Sequence, residues 1–261
     1  VINNSGIDFA ASSVGGDLTA TASTGNITDA ATVIVGGSGD FTTVAANATI
    51  TLNSLAVNRT IGLHTNGAAG HALIVNTGTV DFATSAVGGN LTATALSSDI
   101  TFTGTITVGG TTDLTAPVNI LDKLNTTYDI ISVGNITFTA TTGVVGRQAD
   151  AIELFCNNKV FVWIGGQEGM ISGSLAGYDS DNTVHVLFAP GIVLWNGKII
   201  GPDGGTGSFT INLNEANAQL NPFIANILPR FMTFGLYLTD DSLLEPLPEP
   251  FTLVEAQPNK A

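Results

Sequence analysis

The chain has 261 residues and a formal net charge of −14, from 7 Lys and Arg against 21 Asp and Glu. That length holds one large domain or two modest ones, and an apolar share of 44% is ample for a core. Binding to a phosphate backbone needs clustered Lys and Arg; Arg59, Lys123, Arg147, Lys159, Lys198, Arg230 and Lys260 are scattered, so nucleic acid is excluded as a partner.

From the first residues onward the chain repeats itself. Ile7 to Thr43 lies over Val80 to Ala116 at a constant offset without a gap, and 20 of 37 positions are identical. Both copies carry VGG followed by LTATA (Leu18 to Ala22, Leu91 to Ala95), then Ile-Thr, then a second VGG (Val35 to Gly37, Val108 to Gly110). A shorter echo is VGNITFTA, Val133 to Ala140. The spacing from one VGG to the next points to stacked coils.

Between the glycines the residues alternate. Ile100, Phe102, Ile106 and Val108 share one parity, and Thr101, Thr103, Thr105 and Thr107 the other. Ala48, Ile50 and Leu52 alternate with Thr49 and Thr51 in the same way, as do Ile136, Phe138 and Ala140 with Thr137 and Thr139. This two-residue period is that of half-buried strands, with β-branched threonine suited to the outer face. A sandwich gives no reason for VGGxLT to return, whereas coils of equal shape do. The expectation is an all-β parallel β-helix over residues 1–146, of about seven coils, with the glycines at corners where φ is positive.

These residues resemble the repeat region of the filamentous haemagglutinin family, bacterial exoproteins exported by two-partner secretion: VGG[DN]LTATA, GNIT, VGGSGDFTT and VGGTTDLTA carry the likeness. The resemblance implies a right-handed coil, an extracellular or cell-surface location, and an adhesin or stalk role. Members' N-terminal secretion motifs are not found in this sequence. The chain opens at Val1 rather than Met, as a processed or excised product does.

After Gly146 the threonine rhythm fades, and residues 147–213 form a less regular β region that continues or caps the solenoid. AIELFCNNKVFVWIGG reads as a hairpin turning at Asn157 and Asn158, with Phe161 and Trp163 in its second strand. VHVLF (Val184 to Phe188) and FTINL (Phe209 to Leu213) are further strands, LWNGKII turns around Asn196 and Gly197, and a short helix is expected near Asn214, ended by Pro222. The single cysteine, Cys156, reads as a small buried hydrophobe.

Residues 214–261 are an apolar segment stiffened by Pro246, Pro248 and Pro250. It covers the end of its own solenoid or docks on the next molecule by strand addition. The interface candidates are Leu220, Phe223, Ile224, Phe231, Met232, Phe234, Leu236, Tyr237, Leu247 and Phe251. No apolar run reaches the roughly 18 residues that a transmembrane helix needs.

The acids and histidines are the remaining carriers of chemistry. Asp179 and Asp181, Asp203, and Asp240 and Asp241 sit in turn-like contexts. Asp179, Asp181 and Asn182 supply half of a calcium loop without its closing glutamate, so Ca²⁺ is a weak candidate and no other cofactor is expected. His64, His71 and His185 have no zinc spacing, and neither a GxSxG elbow nor a phosphate loop occurs. No catalytic residue is assigned. The reading is a non-catalytic adhesin-type fibre or self-assembling filament subunit, whose partner is itself or a host receptor or glycan. The alternative is a carbohydrate-active β-helix enzyme, lyase or hydrolase, and a third class is an ice-binding Thr-x-Thr solenoid.

Overall fold

The computed structural model describes residues 1–123, 128–147, 150–175, 184–189, 191–196 and 198–200. Among them there is no helix, and every strand pairing is parallel except the terminal one of Ile192–Trp195 with Lys198–Ile200. The strands stack as a β-solenoid. In its second sheet Ile7, Ile27, Ile50, Ala72, Leu91, Thr112, Ile136, Val160 and Val184 lie over one another, nine rungs and hence eight turns. Coils differ in length: the one from Ala72 to Leu91 is the shortest, and those from Thr112 to Ile136 and onward are the longest.

Each coil passes through three walls. From the fourth coil on, a three-residue strand of the first sheet (Ser85–Val87, Ile106–Val108, Ile130–Ser132) turns a corner into a five-residue strand of the second (Leu91–Ala95, Thr112–Ala116, Ile136–Ala140). A third wall follows, Val80–Phe82, Ile100–Phe102 and Ile120–Asp122, and continues as the single bridges Val145 and Gly169. Inward rows are aliphatic and aromatic: Leu52, Ile74, Ala93, Leu114, Phe138, Val162 and Val186 stack in register and are buried. Phe82 and Phe102 stack with centroids 5.9 Å apart. Each Leu, Ile, Val or Phe side chain removed from water contributes about 1.5–3 kcal/mol, and repetition of the row makes the core continuous.

The two sequence copies do not occupy the same walls. Three coils carry Ile7 through Ile27 and Ile50 to Ala72. Val80, the repeat counterpart of Ile7, comes later in the chain than Ala72 and so falls one wall further round. Leu18–Ala22 therefore lies in the first sheet and Leu91–Ala95 in the second. The exchange occurs where both sheets carry long strands, Gly39–Ala46, Ile50–Val57 and Thr60–Asn66. Ile50–Val57 pairs with Ile27–Asp29 and also with Val33–Val35, merging two walls, while Thr60–Asn66 pairs onward with both Val80–Phe82 and Ser85–Val87, splitting one into two. Asn76 holds this junction: its Oδ1 accepts the Val57 N–H at 2.8 Å and its Nδ2 donates to the Val57 and Thr79 carbonyls.

Two expectations need correction. Ile152–Cys156 and Val160–Ile164 are not a hairpin: the first pairs with Ile130–Ser132 and Glu168–Leu175, the second with Ile136–Ala140 and Val184–Phe188. Asn157 and Asn158 turn one corner of the coil instead of reversing the chain. Nor do the VGG glycines need positive φ, which is confined among the described glycines to Gly67, Gly146 and Gly173. From the second VGG on, corners stack backbone on backbone: a Cβ on Gly109 would collide with the Gly88 carbonyl oxygen below it, whereas Gly15 and Gly16, in the first coil, have open space at their Cβ positions. The hairpin at Trp195 to Lys198, by contrast, is present, with Asn196 at φ 49°.

Candidate functional site

The residues singled out in the sequence lie outside the described part. This holds for Asp179, Asp181 and Asn182, for Asp203, Asp240 and Asp241, and for the whole interface set from Leu220 to Phe251. The three histidines are described and are apart from one another. His64 Nε2 stands 3.6 Å from Asp40 Oδ1, His71 Nδ1 accepts the Asn90 N–H at 2.9 Å, and His185 stacks on Phe161. Cys156 is buried, with its Sγ directed to the Gly134 carbonyl, and burial pushes its thiol pKa up.

The polar side chains of the corners bind the next coil. Asp17 Oδ1 accepts Ser38 N–H, Asn26 Oδ1 accepts Thr49 N–H, and Asp29 takes both Asn53 and Ser54 N–H. Asn90 does the same for Thr111, Asp99 for Asn119, Asn119 for Val144, and Asn135 for Lys159. A corner breaks the ladder, so its amides would otherwise face water or nothing. Each side-chain oxygen restores one bond, worth about 0.5–1.5 kcal/mol.

One group of acids stands out, and sequence reasoning misses it. Asp122 ends its third-wall strand, Asp129 precedes Ile130–Ser132, and Glu153 lies in Ile152–Cys156; one carboxylate oxygen from each falls within 4.8 Å of those of the other two. Asp122 is 6% exposed and Asp129 1%. Asp129 N–H donates to the Glu153 carbonyl at 2.7 Å, and Glu153 N–H donates to Asp129 Oδ2 at 2.9 Å. Glu153 Oε2 is buried without a hydrogen-bond partner. Burial, opposed by the Glu153 N–H and reinforced by the charge of Asp122, pushes Asp129 up to about 8; Glu153 is raised too, by burial and then by Asp122. The oxygen set is of the kind that holds a hard cation. A signal existed for two of the three: Asp129 and Glu153 stand one long coil apart.

The outer face of the second sheet carries threonines in register. Thr92 and Thr94 lie over Asp113 and Thr115, and these over Thr137 and Thr139. Leu73 and Val75 bound the array on one side and Phe161 and Trp163 on the other. Because the repeat changes walls, Thr19 and Thr21 of the first copy sit on the other sheet and do not extend it.

A sequence family described as "Repeats of unknown function" (DUF5649) matches residues 1–63 and 69–127 of this chain. The gap between the two matches, 64–68, falls at the exchange of walls. The chain matches no curated protein and no solved structure. Among the described residues no helix is long and apolar enough to cross a membrane.

Proposed function

We propose that this chain is a non-catalytic, extracellular, adhesin-type β-solenoid that assembles with itself through Leu220 to Phe251. The observation that carries the reading is the use made of polar side chains: Asp17, Asn26, Asp29, Asn90, Asp99, Asn119 and Asn135 are committed to backbone amides of the next coil. Residues deployed this way serve stacking, and a stack of coils is a scaffold. The repeat match and the haemagglutinin-like sequence style agree with a structural role, and the apolar, proline-stiffened tail supplies the kind of segment that adds to an open sheet edge.

The carbohydrate-active alternative has one observation in its favour, the paired carboxylates with Asp129 raised to about 8. Against it, a carboxyl that is 1% exposed does not meet a polymeric substrate. Sedimentation of the full chain and of a chain lacking residues 220–261 tests the proposal. Concentration-dependent assembly of the first and a monomeric second are expected. Identical behaviour of the two overturns the role given to the tail.

A further inference from the structure

Asparagine is the preferred corner residue of this solenoid, and its amides fall into two sets. Seven described asparagines use Oδ1 to accept a backbone N–H from a neighbouring coil: Asn26, Asn47, Asn76, Asn90, Asn119, Asn135 and Asn196. Three of them also engage Nδ2: Asn76 with the Val57 and Thr79 carbonyls, Asn119 with Asp99 Oδ1, and Asn196 with the Gly173 carbonyl. The other four, Asn26, Asn47, Asn90 and Asn135, have no Nδ2 hydrogen bond among the described residues.

Those four share a second property. Each begins an Asn-x-Thr triplet: Asn26-Ile27-Thr28, Asn47-Ala48-Thr49, Asn90-Leu91-Thr92 and Asn135-Ile136-Thr137. None of the three with engaged amides does. All four stand at the corner that leads from the first sheet into the second, ahead of Ile27–Asp29, Ile50–Val57, Leu91–Ala95 and Ile136–Ala140. Asn26, Asn47 and Asn90 are exposed and Asn135 half-buried, while the middle residue of each triplet is buried in the core.

We infer that Asn26, Asn47, Asn90 and Asn135 are acceptor sites for N-linked glycosylation, arranged along one edge of the solenoid. Asn-x-Thr is the acceptor triplet for transfer of a sugar to the asparagine amide. In the transfer, Nδ2 forms a bond to the sugar C1, the bond from C1 to a phosphate oxygen of an activated donor breaks, the phosphate-bearing group leaves with the electron pair, and one Nδ2 proton goes to a base of the transferase. The product keeps its amide carbonyl, so Oδ1 still accepts the N–H of the neighbouring coil. Glycosylation at these positions costs the fold no hydrogen bond, whereas at Asn76, which is buried, the loss of one Nδ2 hydrogen would cost one of the two bonds it donates. Asn90 and Asn135 are two rungs apart, about 10 Å, which leaves room for a sugar on each.

Asn3 also opens a triplet, Asn3-Asn4-Ser5, but gives its Nδ2 to the Gly6 carbonyl; Asn58-Arg59-Thr60 lies at a different corner, and Asn125 lies outside the described residues. Peptide mass spectrometry of the full chain isolated from the cells that make it tests the inference, using a protease that cuts at acidic residues. A hexose or N-acetylhexosamine increment on Asn90 and Asn135, and none on Asn76 or Asn119, is expected. Thr92→Ala removes the triplet while keeping the bond from Thr111 N–H to Asn90 Oδ1, so it should abolish the increment on Asn90 without changing Tm, and Thr92→Ser should retain it. Unmodified asparagine at all four positions, or a sugar on Asn90 that survives Thr92→Ala, overturns the inference.

Discussion

Gly109 sits directly over Gly88, its N–H bonded to the Val87 carbonyl at 2.8 Å and its Cα so close to the Gly88 carbonyl that no Cβ fits between them. The same stacking recurs at Gly134 over Gly110, so the repeated VGG marks places where one corner rests on another.

Gly109→Ala should therefore cost about 3 kcal/mol, since the opposing atom is backbone and has no rotamer to change. Gly78→Ala is the control: nothing lies within 4 Å of its Cβ position, and its φ is not positive. Thermal unfolding of the two variants should give a clear loss of Tm for the first and little change for the second. Equal effects would mean that corner stacking is not the reason for glycine.

Thr101 offers a gain instead of a loss. Its side chain is buried and its Oγ1 has no hydrogen-bond partner, while the adjoining Lys123 Nζ and Asp81 Oδ2 pair with each other at 2.6 Å. Replacing an unsatisfied buried hydroxyl by a methyl of like size removes its desolvation cost, so Thr101→Val should add about 1 kcal/mol in denaturant titration. A destabilised variant would show that the hydroxyl has a partner in solution.

The acids at Asp122, Asp129 and Glu153 set a pH dependence with a definite sign. Asp129 is raised from 3.8 to about 8, so the unfolded chain releases its proton at a lower pH than the folded one. The stability associated with this group is full below about pH 4, falls as pH rises toward 8, and levels off above, with a slope of at most about 1.4 kcal/mol per pH unit. Denaturant midpoints should fall from pH 5 to pH 8. Asp122→Asn removes a charge that raises both partners, so it should lower that slope and stabilise the protein at pH 8. A midpoint that rises over the same range would contradict the protonated state assigned to Asp129.

The rows of the core are readable from the chain because parity is local: Ile136, Phe138 and Ala140 are buried and Thr137 and Thr139 are not, as alternation requires. The repeat itself makes stacked coils the expected fold. Which wall a segment joins is not written locally. More than one wall accepts the same sequence, so Leu18 and Leu91, equivalent in the repeat, end on different sheets because three coils return the chain only to Ala72, short of Val80, and the repeat outruns a whole number of coils. Asn157-Asn158 misleads for a related reason. Two β segments joined by a short polar link look alike whether the link reverses the chain or turns one corner, and only the long-range ladders decide. No local pattern marks the approach of the Asp122 carboxylate to that of Asp129, and the corner role of asparagine shows only once the coils are stacked.

The proposed joining of this solenoid end to end is open to a direct test. Negative-stain electron microscopy of the purified full chain over a range of concentrations tests it most directly. Ordered filaments that lengthen with concentration, and disappear when residues 220–261 are removed, are the predicted result; isolated particles of one size at every concentration would contradict it.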